Sequence, residues 1–215
     1  MRIAILGTGM VGNTVGTKLI QLGHEVMMGA RAANNPKASE WAATNGDRAS
    51  QGSFKDAANF GEILFNCTAG SVSIEALKLA GAETMKGKIL IDLANPLDFP
   101  QGSPPILTVS NTDSLGEQIQ RAFPEVKVIK TLNTVNCEVM INPSLVPNDH
   151  DIFISGNDQE AKTKITEILK DWFGWKSVID LGDITSARWT EQLLPIWLGL
   201  MNLYGTPRFN FKIVK

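Results

Sequence analysis

The sequence predicts an α/β protein built as a doubly wound parallel sheet with a helical C-terminal extension. Three observations carry that expectation. Short apolar runs alternate with amphipathic stretches at helical spacing, no hairpin signal such as Asn-Gly directly joins two apolar runs, and the first run ends in a glycine cluster at 7, 9, 12 and 16. Parallel strands joined by helices are covered on both faces, so they read as continuous apolar runs instead of alternating ones.

The elements follow in order. RIAILG (2–7) is too short for a helix and stops at glycine, which makes it a buried strand. From Met10 to Leu22, Val11, Val15, Leu19 and Leu22 recur at helical spacing, and Gly23 ends that helix. HEVMMG is the second strand. Helical stretches at WAAT, after Pro36, and at SFKDAANF precede the strand EILFNCTA (62–69). The helix SIEALKLAG leads to the strand GKILIDLAN (87–95), and SLGEQIQRAF leads to VKVIKTLN (126–133). Further on, DIFISG (151–156) and KSVIDLG are strands on either side of an amphipathic helix, 158–174, closed by Gly174. A long apolar helix from Thr185 to Tyr204 carries Trp189, Leu193, Ile196, Trp197, Leu200 and Met201, and Pro195 is expected to bend it.

A composition of 43% hydrophobic and 20% charged residues with a formal charge of -2 offers no basic excess for nucleic acid. No apolar stretch approaches the roughly 20 residues of a membrane helix, and the chain opens on a strand instead of an export signal. The expectation is a cytoplasmic protein that works away from the membrane. Cys67 and Cys137 lie far apart and outside any CxxC, so they are read as buried thiols, and no metal site is expected. His24 and His150 are read as loop residues outside the chemistry. With no repeat, low-complexity tract or long linker, residues 1–215 are read as one domain.

The glycine cluster meets the structural condition of a dinucleotide-binding turn: a strand before it, a helix after it, and a second strand about twenty residues on. In that Rossmann-like setting Gly7 permits the tight turn, Gly9 lets the backbone approach a pyrophosphate, and Gly12 lets the helix pack close. Residues 1–140 then form the dinucleotide-binding core and 141–215 a strand-helix extension. At the end of the second strand a carboxylate would accept ribose hydroxyls, whereas a guanidinium favours a 2′-phosphate. The chain has no carboxylate between Gly29 and Lys37 and places Arg31 there, with Lys37 just beyond, which points to NADP(H). Ligands in such sheets lie beyond the carboxyl ends of the strands. There Thr68, Asn95, Asn133 and Thr134 offer small or amide side chains suited to a flat ring and its carboxamide.

The blocks MRIAILGTGMVGNTVGTKLIQLGHEVMMGAR, IDLANPL, VKVIKTLNTV and DIFISGNDQEAK resemble, in order and spacing, the NADPH-dependent oxidoreductases typified by the F420-dependent NADP reductases. They are similar also to the cytosolic NADPH-binding domain of the membrane metalloreductases, which use flavin as acceptor. The resemblance implies that Thr8, Gly9, Met10 and Val11 line the pyrophosphate, that Ala30 and Arg31 hold the 2′-phosphate, and that Gly70, Asn95 and Thr134 border the nicotinamide. Ala30 departs from the serine usual in deazaflavin reductases, and KTLNTVN is closer to the flavin and metal reductase branch.

The expected reaction is direct hydride transfer between the nicotinamide and a deazaflavin (coenzyme F420) or flavin ring, with the protein positioning two cofactors that carry the chemistry. No acid–base residue is named for it. Two alternatives stay open, an NADPH-dependent reductase of imines or small carbonyl compounds and a non-catalytic NADP(H)-sensing module. A small-molecule acceptor and a second copy of the chain, docked through the stripe around Trp189 and Trp197, are the expected partners.

Overall fold

A computed structural model describes residues 1–102 and 104–215. The strands are β1 (Arg2–Leu6), β2 (Glu25–Ala30), β3 (Ala49–Ser53), β4 (Ile63–Asn66), β5 (Ile89–Asp92), β6 (Leu97–Asp98), β7 (Ile106–Leu107), β8 (Lys127–Thr131), β9 (Asp151–Gly156) and β10 (Ser177–Asp180). The helices are α1 (Met10–Gln21), α2 (Pro36–Asn45), α3 (Phe54–Phe60), α4 (Gly70–Ala80), α5 (Ala82–Met85), α6 (Leu115–Ala122), α7 (Cys137–Ile141), α8 (Gln159–Asp171), α9 (Ala187–Gln192) and α10 (Leu194–Tyr204).

Eight strands form one sheet in the order β10-β9-β8-β5-β4-β1-β2-β3. Its first six strands in sequence are parallel and run β3-β2-β1-β4-β5-β8 across the sheet, the doubly wound Rossmann-like arrangement. Alternation along each strand feeds two cores. Ile3 and Ile5 of β1 point to the face covered by Val15 and Leu19 of α1 and by Ile165 and Ile168 of α8. Ala4 and Leu6 point to the opposite face, under Ala57 of α3, Leu77 of α4 and Ile119 of α6.

The expectation of a wholly parallel sheet needs one correction, because β9 pairs antiparallel with β8, and β10 follows β9. Physically, the chain leaving β8 meets only the five-residue α7 and a short 3-10 turn, Pro143–Leu145, before the next strand. At about 1.5 Å per residue such a helix cannot carry the chain back along the sheet, so the next strand returns from the same end.

The expected long C-terminal helix is also divided. A 3-10 turn (Ile184–Ser186) leads into α9, and α10 begins anew with Pro195 in its first turn, where the missing N–H costs nothing. Three strands had no readable signal: β3 (ASQGS) has no apolar alternation, and β6 and β7, which pair as a ribbon, have two residues each.

Candidate active site

Strand order reverses between β1 and β4, and the turns after these two strands meet there. The three motif glycines separate by cause. Gly7 holds φ +122°, and a Cβ on it would lie 2.7 Å from the Cys67 carbonyl oxygen, so it must be glycine to let the two turns touch. A Cβ on Gly12 would run into the Gly7 carbonyl. Around Gly9, by contrast, an added Cβ would meet nothing within 4 Å. Packing does not require a glycine there, which leaves the backbone free for close approach from outside.

Gly9 is also the N-cap of α1, with no side-chain capping bond and no acidic residue in the first turn. The amides of Met10, Val11 and Gly12 therefore lie at a helix start whose partial positive charge is not offset locally. Thr8, Gly9, Met10 and Lys37 line one cleft of about 540 Å³, with Asn13, Thr14 and Trp41 along its wall. Arg31 stands exposed at the tip of β2 beside buried Ala30. Neither Arg31 nor Lys37 forms a salt bridge among the described residues.

The loop carrying Arg31 is shaped by two asparagines. Asn34 takes φ 60°, which asparagine tolerates, and exchanges hydrogen bonds with Gln51: its N–H donates to Gln51 Oε1 (2.9 Å), and Gln51 Nε2 donates to Asn34 Oδ1 (3.0 Å). Asn35 caps α2 by accepting from the Lys37 and Ala38 amides, with Pro36 beginning the helix. Gln51 belongs to β3, so the strand that the sequence hid helps to hold the cation loop.

On the other side of the switch point the turns interlock. A Cβ on Gly70 would collide with the Asn95 carbonyl, which ties the turn after β4 to the turn after β5. Asn95 and Asn133 clasp each other: Asn95 Nδ2 donates to the Asn133 carbonyl (2.8 Å), and Asn133 Nδ2 donates to Asn95 Oδ1 (2.9 Å). Thr68 Oγ1 donates to Asn66 Oδ1 (2.7 Å). Leu132, just before Asn133, is buried at φ 63°, a strained conformation for a bulky residue. Thr134 is buried too, and its hydroxyl has no hydrogen-bond partner among the described residues. An orphan of that kind fits a group supplied from outside the chain.

The structure thus brings Thr68, Gly70, Asn95, Asn133 and Thr134 together beyond the carboxyl ends of β4, β5 and β8, with Thr68 beside the Gly7 turn. The sequence reading missed the buried charges behind them. Lys130 Nζ lies 2.8 Å from Asp92 Oδ2 and 2.8 Å from Glu191 Oε1, and all three side chains are shut off from water. The signal was present as a lysine and an aspartate inside otherwise apolar strands, VKVIK and ILID. Burial works against the Lys130 charge, but Asp92 and Glu191 outweigh it and hold its pKa above the usual lysine value.

Cys67 is buried, and desolvation, with the Asp92 charge added, pushes its thiol far up, so it is a packing residue. Cys137 is buried beside Thr14. His24 packs against Trp172 with the two rings tilted, and His150, although in a loop, is buried between the Pro143 carbonyl and Asn210. Among the described residues no cluster of His, Cys, Asp and Glu could hold a metal ion, and no helix is long and apolar enough to cross a membrane.

Fold, switch point and glycine turn are those of the Rossmann-like dinucleotide-binding class. The family described as "NADP oxidoreductase coenzyme F420-dependent" matches residues 2–96. A solved protein of Arthrobacter sp. FB24, proposed to be an F420-dependent NADP-reductase, is 50% identical, with 99% of each chain covered and a TM-score of 0.93. The F420-dependent NADP reductase of Methanocaldococcus jannaschii is 29% identical over 99% of this chain and 98% of its own. Metalloreductase STEAP3 of Rattus norvegicus is 26% identical over 91% of this chain, which spans 38% of that longer protein. The chain belongs to the F420-dependent NADP oxidoreductase family.

Proposed function

We propose that the protein is an NADP(H)-dependent oxidoreductase that moves a hydride between the nicotinamide and a deazaflavin (coenzyme F420) or flavin ring. The observation that carries this reading is the open approach to Gly9 at an uncapped helix start, flanked by the uncommitted Arg31 guanidinium. The amides of Met10, Val11 and Gly12 hold the diphosphate. Arg31, with Lys37 nearby, holds the 2′-phosphate through charge-assisted hydrogen bonds. Thr68, Gly70, Asn95 and Asn133 form the floor under the nicotinamide, and the Thr134 hydroxyl is the group to meet its carboxamide. When bound, the nicotinamide supplies or accepts the hydride, so the residues have to orient a flat ring and keep water away from it. Neither histidine belongs to these turns.

Steady-state oxidation of NADPH with coenzyme F420, FMN, an imine and a ferric chelate as separate acceptors tests the reading. Rapid turnover with the deazaflavin or flavin is expected. Turnover with the imine alone would replace the acceptor, and binding without turnover on any acceptor would make the protein a sensor.

The reading extends to a homodimer. Of the eleven residues of α10 only Leu194 and Trp197 are buried, while Ile196, Leu203, Tyr204 and the neighbouring Trp189 are more than half exposed. A helix this apolar is rarely left open on a soluble protein. Light scattering should give a dimer for the wild type and a monomer for Leu203→Glu; a monomeric wild type would remove this part.

A further inference from the structure

The last residues of β4 and β5 and the last but one of β8 stand in one register row. Asn66 of β4 is opposite Asp92 of β5, and Asp92 is opposite Lys130 of β8. Equivalent positions in a parallel sheet face the same way, so the row forms a polar chain inside the protein. Lys130 Nζ donates to Asp92 Oδ2 and to the Ala94 carbonyl. Asp92 Oδ1 accepts from Asn66 Nδ2 at 2.7 Å, and Asn66 Oδ1 accepts from the Thr68 hydroxyl at 2.7 Å. On the far side Glu191 of α9 contacts Lys130 while its carboxylate accepts from the Leu115 and Gly116 amides at the start of α6. Every residue of the chain except Thr68 is buried.

Followed outward, the hydrogen bonds end on the turns of the candidate nicotinamide floor. One branch runs from Asp92 through Asn66 to Thr68. The other runs from Lys130 through the Ala94 carbonyl to Asn95, which clasps Asn133 next to Thr134. Buried ion pairs are often replaceable by apolar groups without loss of stability, so stability alone does not account for one cation between two carboxylates in a dry core. A network that is satisfied at every member does fix geometry.

We propose that the Lys130–Asp92–Asn66 row is a positioning device for the nicotinamide: it sets the Thr68 and Asn95 turns against the ring, and Glu191 makes that setting depend on the seating of the C-terminal α9. The proposal rests on the reading of these turns as the nicotinamide floor. It assigns the row no contact with the cofactor and no proton transfer. Its effect is on how well the ring is held, where a displacement of about 1 Å is enough to slow a reaction on the order of a hundredfold.

The test compares two ligands by calorimetry: NADPH, and 2′-phospho-ADP-ribose, which lacks the nicotinamide. Asp92→Asn keeps the side-chain shape and weakens the row. Asn66→Leu removes a neutral group that lies outside the floor, cuts the row from the Thr68 turn and reads the proposal even if the Asp92 variant does not fold. Each is expected to lower NADPH affinity by about tenfold, as losing an oriented hydrogen-bond partner does, while 2′-phospho-ADP-ribose binds as in wild type. The double variant should lose no more than either single one, because both act through one chain. Equal weakening of both ligands, unchanged affinity for both, or additive losses would overturn the proposal. A wild-type protein that binds neither ligand would instead remove the cofactor reading beneath it.

Discussion

Arg31→Asp should weaken NADPH binding by about 2 kcal/mol or more and leave NADH nearly unchanged. The guanidinium stands exposed at the tip of β2 and is not drawn into a salt bridge among the described residues, so its charge is free to meet a phosphate. The Asn34–Gln51 exchange and the Asn35 cap hold the loop without using the Arg31 side chain, so the substitution changes charge and not fold. A carboxylate in its place repels a 2′-phosphate and suits ribose hydroxyls. Titration with both nucleotides checks it. Parallel losses for NADPH and NADH would show that Arg31 does not read the extra phosphate.

Lys130→Met is expected to destabilise the protein by about 3–5 kcal/mol, the range for removing one partner of a buried ion pair. It strands the Asp92 and Glu191 carboxylates together in the core with no cation between them. The neutral triple variant, Lys130→Met with Asp92→Asn and Glu191→Gln, should recover most of that loss, because no buried charge is then left unpaired. The pH dependence has a definite sign. Lys130 has a folded pKa above its unfolded value of 10.5, so its contribution is complete below 10.5 and fades as pH rises through the folded value. Urea denaturation should show a constant gap between wild type and Lys130→Met from neutral pH to about pH 10, narrowing above it. A gap of less than about 1 kcal/mol at neutral pH would mean that the triad is easily dispensed with.

Most of the doubly wound sheet was legible because buried parallel strands and amphipathic helices leave different periods in the chain. RIAIL and the valine–leucine stripe of 10–22 are clear cases. β3 was not legible: ASQGS forms a strand only because β2 offers it an edge to pair with. The reversal at β9 was equally hidden, since strand direction depends on how far a connection travels and not on the strand's own residues.

The glycine turn, Arg31 and the four polar residues at the strand tips were in reach of the sequence alone, because each follows from backbone freedom or side-chain chemistry at a strand end. Tertiary structure alone decided that Gly9 opens outward while Gly7 and Gly12 are packed shut, that Asn95 clasps Asn133, and that the Thr134 hydroxyl has no internal partner. It also decided that Lys130, Asp92 and Glu191, separated by up to about a hundred positions, meet in one dry pocket. The physical reason is that local pattern encodes what a segment prefers, whereas register between strands and the seating of α9 determine which distant charges share an environment from which water is excluded.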